Sequence, residues 1–258
     1  MSENASTKTL ALFITNNSLT YITKTTQELE EFYSEAIRLN LSDLNGHVKY
    51  EQIEKEVKAN LPLLLYYDDV KICYLSTPTN IVPTEYLSEN LNSYLNLTEV
   101  DKVKASAVKL NNVDAHLVYN NLSPISKLFQ NLPNLKSATT THTGKFLIDF
   151  SKIDAEKNQV FVRLIEQKLE ICIYNQGVFN FYNVFDVASD EDIVYYILNT
   201  IEQLKLDANQ ISISLEGGIT SDHLAYDLLL KYVNELTVNK EIEAIGPKYL
   251  LYKIFECE

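Results

Sequence analysis

The sequence predicts an α/β protein of two domains, each built on a mixed sheet, and three observations carry that reading. One order of elements, three strands followed by helix, strand and helix, occurs twice along the chain. The 258 residues suffice for two cores, and 46% of them are hydrophobic. Between the two halves the segment KIDAEKNQ is polar and charged, as a domain boundary should be.

In the first half, LALFIT and SLTYIT form a hairpin across Asn16 and Asn17, and EAIRLNLS alternates like a third strand. A helix is expected over about residues 50–60, then a strand at VKICYLS. A second helix, opened by Pro83, is expected in VPTEYLSENLNSYL. The second half repeats the order, with VFVRLI and LEICIY as the hairpin and VFNFYNVF as the third strand. A helix follows in SDEDIVYYILNTIEQLKL, a strand in QISISLE and a last helix in TSDHLAYDLLLKYVNEL.

The first helix of the second half is the best specified element. Ser189 with Asp192 three residues on fits a capping box, and Asp190 and Glu191 place negative charge at the positive end of the helix dipole. Ile193, Ile197, Ile201 and Leu204 make an apolar stripe at helical spacing. That face is expected on the second sheet, with Cys172 and Ile213 in the same core.

Charge and composition exclude several function classes. There are 35 acidic against 22 basic residues, a net charge of −13, and only Arg38 and Arg163 are arginine. Phosphate and base-edge contacts draw on arginine and clustered positive charge, so no nucleic acid is expected as a partner. Apolar runs such as LLLYY are far too short to span a bilayer, so no membrane insertion is expected. The start MSENASTKTLAL lacks the pattern of a secretory signal, and a cytoplasmic location is the expectation. Cys73, Cys172 and Cys257 are scattered and read as reduced thiols.

The runs NIVPTEYLSENLNSYLNL, FYNVFDVASDEDIVYYILNTIEQLKL and YDLLLKYV resemble a bacterial family of unknown function with an actin-like ATPase fold. The resemblance extends from about Leu10 to Leu236 and is most distinctive over residues 181–206. It implies two ribonuclease-H-like domains flanking a cleft, residues 1–155 and residues 156–258. It brings no assigned activity.

In active members of that superfamily, the first hairpin of each half is implied to carry an acidic residue at the end of its first strand, then glycine. Backbone N–H groups can then approach phosphate while the carboxylate holds hydrated magnesium. Here the two turns read FITNNSLTY and RLIEQKLEI, with neither Asp nor Gly. Thr15 and Arg163 stand near the places of the acids. Glu166 could ligate a metal through water and Lys168 could touch a phosphate, but a solvated turn of mixed charge is the better account of the two. Gly217 and Gly218, in SLEGGITSDHL, lie between a strand and a helix start, where an anion or the adenosine of a nucleotide could rest. A tight strand-to-helix turn is the better account of them.

Other chemistry is thin. His47, His116, His142 and His223 lack metal-ligand spacing. Ser221, Asp222 and His223 are adjacent and diverge rather than forming a triad, with capping by Thr220 or Ser221 the better account. Asp68 and Asp69 read as an acidic turn, and Tyr195 and Tyr196 as core or cleft lining. The reading is therefore a non-catalytic, degenerate actin-like ATPase that binds another protein, with no catalytic or metal residue and no cofactor. The alternative is a nucleotide-binding protein or slow ATPase, with ATP or ADP and magnesium, centred on Gly217 and Gly218.

Overall fold

A computed structural model of the chain describes residues 7–15, 17–25, 32–38, 54–55, 57–96, 104–121, 126, 128–129, 131–133, 135, 138–240 and 248–256. Strands β1 (Lys8–Ile14), β2 (Ser18–Thr25) and β3 (Phe32–Arg38) form a meander. A short helix α1 (Leu61–Leu64) precedes β4 (Asp69–Tyr74), which lies parallel to β1, and β8 (Thr139–His142) lies parallel to β4. The first sheet thus has the order β3-β2-β1-β4-β8. Between β4 and β8 run β5 (Thr79–Pro83), β6 (Ala105–Lys109) and β7 (Ala115–Asn120), a separate sheet of order β5-β7-β6.

Helix α2 (Thr143–Phe150) leads to the second half, where β9 (Asn158–Ile165), β10 (Lys168–Asn175) and β11 (Val178–Asp186) form the second meander. Helix α3 (Asp190–Gln203), β12 (Ile211–Gly217), the short α4 (Leu224–Leu229), β13 (Glu235–Val238) and α5 (Lys248–Glu256) complete it. The second sheet, β11-β10-β9-β12-β13, repeats the first strand for strand. The expected repeat of two five-stranded mixed sheets is present.

Helix α3 forms as its sequence dictates. The Ser189 hydroxyl accepts the Asp192 N–H at 3.2 Å, and the Asp192 carboxylate accepts the Ser189 N–H at 3.1 Å. Ile193, Ile197 and Ile201 are buried with Val160, Val162, Ile171 and Ile213, each worth about 1.5–3 kcal/mol of burial. Leu204 is only partly buried, because the helix ends before it. Cys172 is buried on the opposite face of the sheet: along β10 Leu169, Ile171 and Ile173 point to α3, and Cys172 and Tyr174 point the other way.

Three expectations are corrected. Pro83 closes a strand rather than opening a helix. It pairs with Ala115 at the end of β5, and only 3-10 turns follow, at Thr84–Tyr86 and Leu91–Leu95. The last expected helix is cut to α4, since Glu235 and Leu236 pair with Ser212 and Ile213 as the fifth strand. Its cap is His223, whose Nδ1 accepts the Ala225 N–H at 3.3 Å, rather than Thr220 or Ser221. Of the helix expected over residues 50–60, residues 54–55 and 57–59 are helical and 50–53 lie outside the described residues, as do residues 39–42 of the expected third strand.

A central apolar cluster joins the halves. Ala11, Phe13 and Cys73 of the first sheet meet Phe146 and Ile148 of α2 and Cys172, Tyr182 and Val184 of the second sheet. Helix α5 lies in the span that the sequence assigns to the second domain, yet it packs on β1 and β4 of the first. Leu250, Leu251 and Ile254 enter the central cluster, which is why that face is apolar.

Candidate functional site

The two hairpin turns meet. Thr15, at the end of β1, is buried, and its Oγ1 accepts the N–H groups of Asn17 and Ser18 at 3.0 and 2.9 Å, which holds the turn closed without glycine. The same hydroxyl donates to Glu166 Oε1 at 3.0 Å. Ser18 Oγ donates to that oxygen at 2.7 Å, and Asn17 Nδ2 donates to Oε2 at 3.2 Å. Glu166 itself sits at a φ of 54°, left-handed for a residue with a side chain. One carboxylate of the second half is thus gripped by three side chains of the first.

Lys168 adds a second link. It is buried rather than solvated, and its Nζ donates to Thr77 Oγ1 at 3.1 Å and pairs with Asp186 at 2.5 Å. The expectation of a solvated turn of mixed charge fails for this residue, because the third sheet and its approach at Thr77 come down over the turn.

Beneath the clasp lies a buried charge network. Arg163 is 2% exposed, and its Nε donates to Glu170 Oε2 at 2.7 Å, Nη1 to Glu216 Oε1 at 3.2 Å and Nη2 to the Thr143 carbonyl at 2.6 Å. Glu170, wholly buried, also accepts from Thr143 Oγ1 at 2.7 Å and Tyr182 Oη at 2.6 Å. Burial opposes the Arg163 charge, but Glu170 and Glu216 outweigh it and hold the guanidinium protonated. Burial likewise raises Glu170, and Arg163 more than reverses this, so its carboxyl is held below the usual range. At Glu216 burial prevails over Arg163 and the carboxyl is pushed up. Burial, reinforced by Glu170, raises the Tyr182 phenol and keeps it a neutral donor.

The start of α2 completes the network. His142 is buried, its Nδ1 accepts the Gly144 N–H at 3.0 Å, and its Nε2 lies 3.2 Å from both the N–H and the carbonyl oxygen of Ser76. Burial lowers the imidazole to about 4, so it is neutral. Gly144 lies flat on Tyr182, where a Cβ would come within 2.4 Å of the ring. Glycine is required here by contact between the halves.

Gly217 and Gly218 serve the sheet. Gly217 has a φ of 78°, a Cβ on it would lie 2.2 Å from the Leu164 carbonyl oxygen, and the Gly218 N–H donates to that oxygen at 2.7 Å. The helix after them begins only at Leu224. His223 approaches Asp190 at 3.4 Å, and Ser221 and Asp222 are exposed. Asp68 accepts the Lys8 N–H at 2.7 Å and so closes the start of β1. Tyr196 stacks on Phe185 at 4.6 Å, whereas Tyr195 is 61% exposed, facing away from the core it was expected to line. Cys73 and Cys172 are buried, and His47 and Cys257 lie outside the described residues. Among the described residues no three His, Cys, Asp or Glu side chains converge as a metal site, and no helix is long and apolar enough to cross a membrane.

Sequence reading placed Arg163 but missed its partner. The two-residue turn of Glu166 and Gln167 sets the register that puts Glu170 directly opposite Arg163, so the pair was available to a careful count along the hairpin. The grip of Thr15, Asn17 and Ser18 on Glu166 spans about 150 residues and has no local signal.

Comparison with known proteins bears on this arrangement. A crystal structure of a Bacteroides thetaiotaomicron VPI-5482 protein, described as having an actin-like ATPase fold and unknown function, superposes with a TM-score of 0.80 at 14% identity, covering 98% of this chain and 96% of that one. A chain of the PilM-PilN type IV pilus biogenesis complex superposes with a TM-score of 0.51 at 9% identity, covering 95% and 96%. None of the curated proteins compared with the chain matches it. Residues 2–236 match the family described as Protein of unknown function (DUF3822), and the chain, with its two ribonuclease-H-like halves in the actin-like ATPase fold, belongs to that family.

Proposed function

We propose that this protein is a non-catalytic member of its fold, a two-lobed interaction or scaffold protein that binds another protein rather than turning over a nucleotide. The observation that carries the proposal is the grip of Thr15, Asn17 and Ser18 on Glu166. Phosphoryl transfer needs donors and a metal aimed at the phosphates. Here the turn donors are already engaged, and the group they hold is an anion that would repel a polyphosphate.

The residues beneath do not fit a hydrated magnesium ion. Where a metal-binding carboxylate is implied, Arg163 supplies a fixed positive charge, and the nearby carboxylates Glu170 and Glu216 neutralise it. Both carboxylates are bonded to the guanidinium rather than turned toward a metal. A protein partner is supported at the level of fold alone, by the similarity to a chain of the PilM-PilN complex. A cytoplasmic setting is part of the same proposal.

A thermal-shift titration with ATP, ADP and magnesium tests the reading. A ligand at about 100 times its Kd raises stability by about 2.7 kcal/mol, a shift that is readily measured. We expect no shift. A magnesium-dependent rise in midpoint, abolished by Gly218→Val, would favour the nucleotide-binding alternative at Gly217 and Gly218.

A further inference from the structure

The second sheet has two unlike faces. Ile211, Ile213 and Leu215 of β12 are buried on the α3 side, whereas Ser212, Ser214 and Glu216 alternate to the other side, with Thr237 of β13 opposite Ser214. Helices α2 and α5 leave a groove of about 640 Å³ over this polar part of the sheet. Its volume is that of a small-molecule site.

The groove combines rings with positive charge. Phe150 of α2, 39% exposed, and Tyr249 of α5 stand on its wall, and Lys253 Nζ lies over both rings, 5.1 and 5.7 Å from their centres. Phe161 and Tyr252 continue the aromatic lining. Lys152 and Lys240 join Lys253 around it, and neither of those two is in an ion pair among the described residues. The one acid in the lining among the described residues, Glu216, is committed to Arg163. Among the described residues of the lining lysine outnumbers acid, in a chain of net charge −13.

We propose that this groove binds a small aromatic carboxylate, its ring against Phe150 and Tyr249 and its charge among Lys152, Lys240 and Lys253. Ser214 supplies a hydroxyl on the sheet floor. A phosphorylated ligand fits less well, since neither arginine nor glycine is in the lining among the described residues. None of Thr15, Ser18, Glu166 and Lys168 lines the groove, so the proposal stands apart from the hairpin clasp.

The test is a fluorine-NMR titration of the full chain with 4-fluorobenzoate, with 4-fluorobenzyl alcohol as the uncharged match. We expect saturable broadening with the acid and none with the alcohol. Affinity should fall roughly tenfold or more in K152E/K240E, whose side chains are exposed and whose thermal midpoint should be unchanged. Phe150→Ala gives an independent arm and should weaken binding in the same direction. Absence of saturation in the millimolar range, equal binding of the alcohol, or unchanged affinity in both variants would overturn the proposal.

Discussion

Thr15 Oγ1 donates to Glu166 Oε1 at 3.0 Å, and this bond joins the first hairpin of one half to the first hairpin of the other. Resemblance to active members of the superfamily implies a phosphate-binding turn at this point. Purified protein with magnesium and ATP should therefore release phosphate at the no-enzyme rate, and Glu166→Gln should leave that rate unchanged. Magnesium-dependent turnover lost in Glu166→Gln would make this turn the active site instead.

The buried pair below the clasp should behave as one unit. Arg163→Ala strands Glu170 in the interior and should cost about 3–5 kcal/mol, whereas R163M/E170L should cost much less than the sum of the single changes. Urea unfolding of the four proteins of that cycle measures the coupling. Additive effects would show that the two charges do not depend on each other.

His142 should make stability depend on pH. Its folded value is lowered by burial from 6.5 to about 4, so between these values the unfolded chain binds a proton that the folded chain does not. The contribution is complete above about 6.5 and is lost as pH falls toward 4, a total on the order of 3 kcal/mol. Glu170, also depressed, loses stability in the same direction as it protonates. In His142→Asn, which retains a capping side chain, the stability profile between pH 4 and 6.5 should be flatter by about 2 kcal/mol or more.

Ile197→Ala should lower stability by about 2–5 kcal/mol, because the side chain is fully buried under α3 and its loss leaves a cavity. An unchanged denaturation midpoint would contradict the burial of that stripe.

Gly144→Ala should destabilise the joint between the halves by about 1–3 kcal/mol, since the added methyl meets the Tyr182 ring. Loss of that contact should appear as faster amide exchange at the start of α2, with α3 unaffected.

Much of the architecture was legible in the sequence because its causes are local. The alternation of VFVRLI and LEICIY, the capping box at Ser189 and the isoleucine stripe each act within a few residues, and each formed as read. The third sheet was not legible. ASAVK and AHLVYN are short, and only their pairing with each other and with β5 makes them strands. Pro83 was misread for the same reason, since a proline that could open a helix also suits a strand end.

By itself the sequence determined the two meanders, helix α3 and the absence of Asp and Gly from both hairpin turns, because hydrophobic period, caps and turn chemistry are properties of neighbours along the chain. Only the tertiary structure decided what fills those turns. Thr15 and Glu166, and Lys168 and Thr77, are far apart in sequence and meet because α2 and the central apolar cluster dock one sheet on the other, whereas Arg163 and Glu216 meet because β9 and β12 pair side by side in the second sheet. Burial at that joint then sets the charges. In water Arg163, Glu170 and His142 would titrate as ordinary side chains, and it is desolvation together with mutual attraction that keeps the first two ionised and the third neutral.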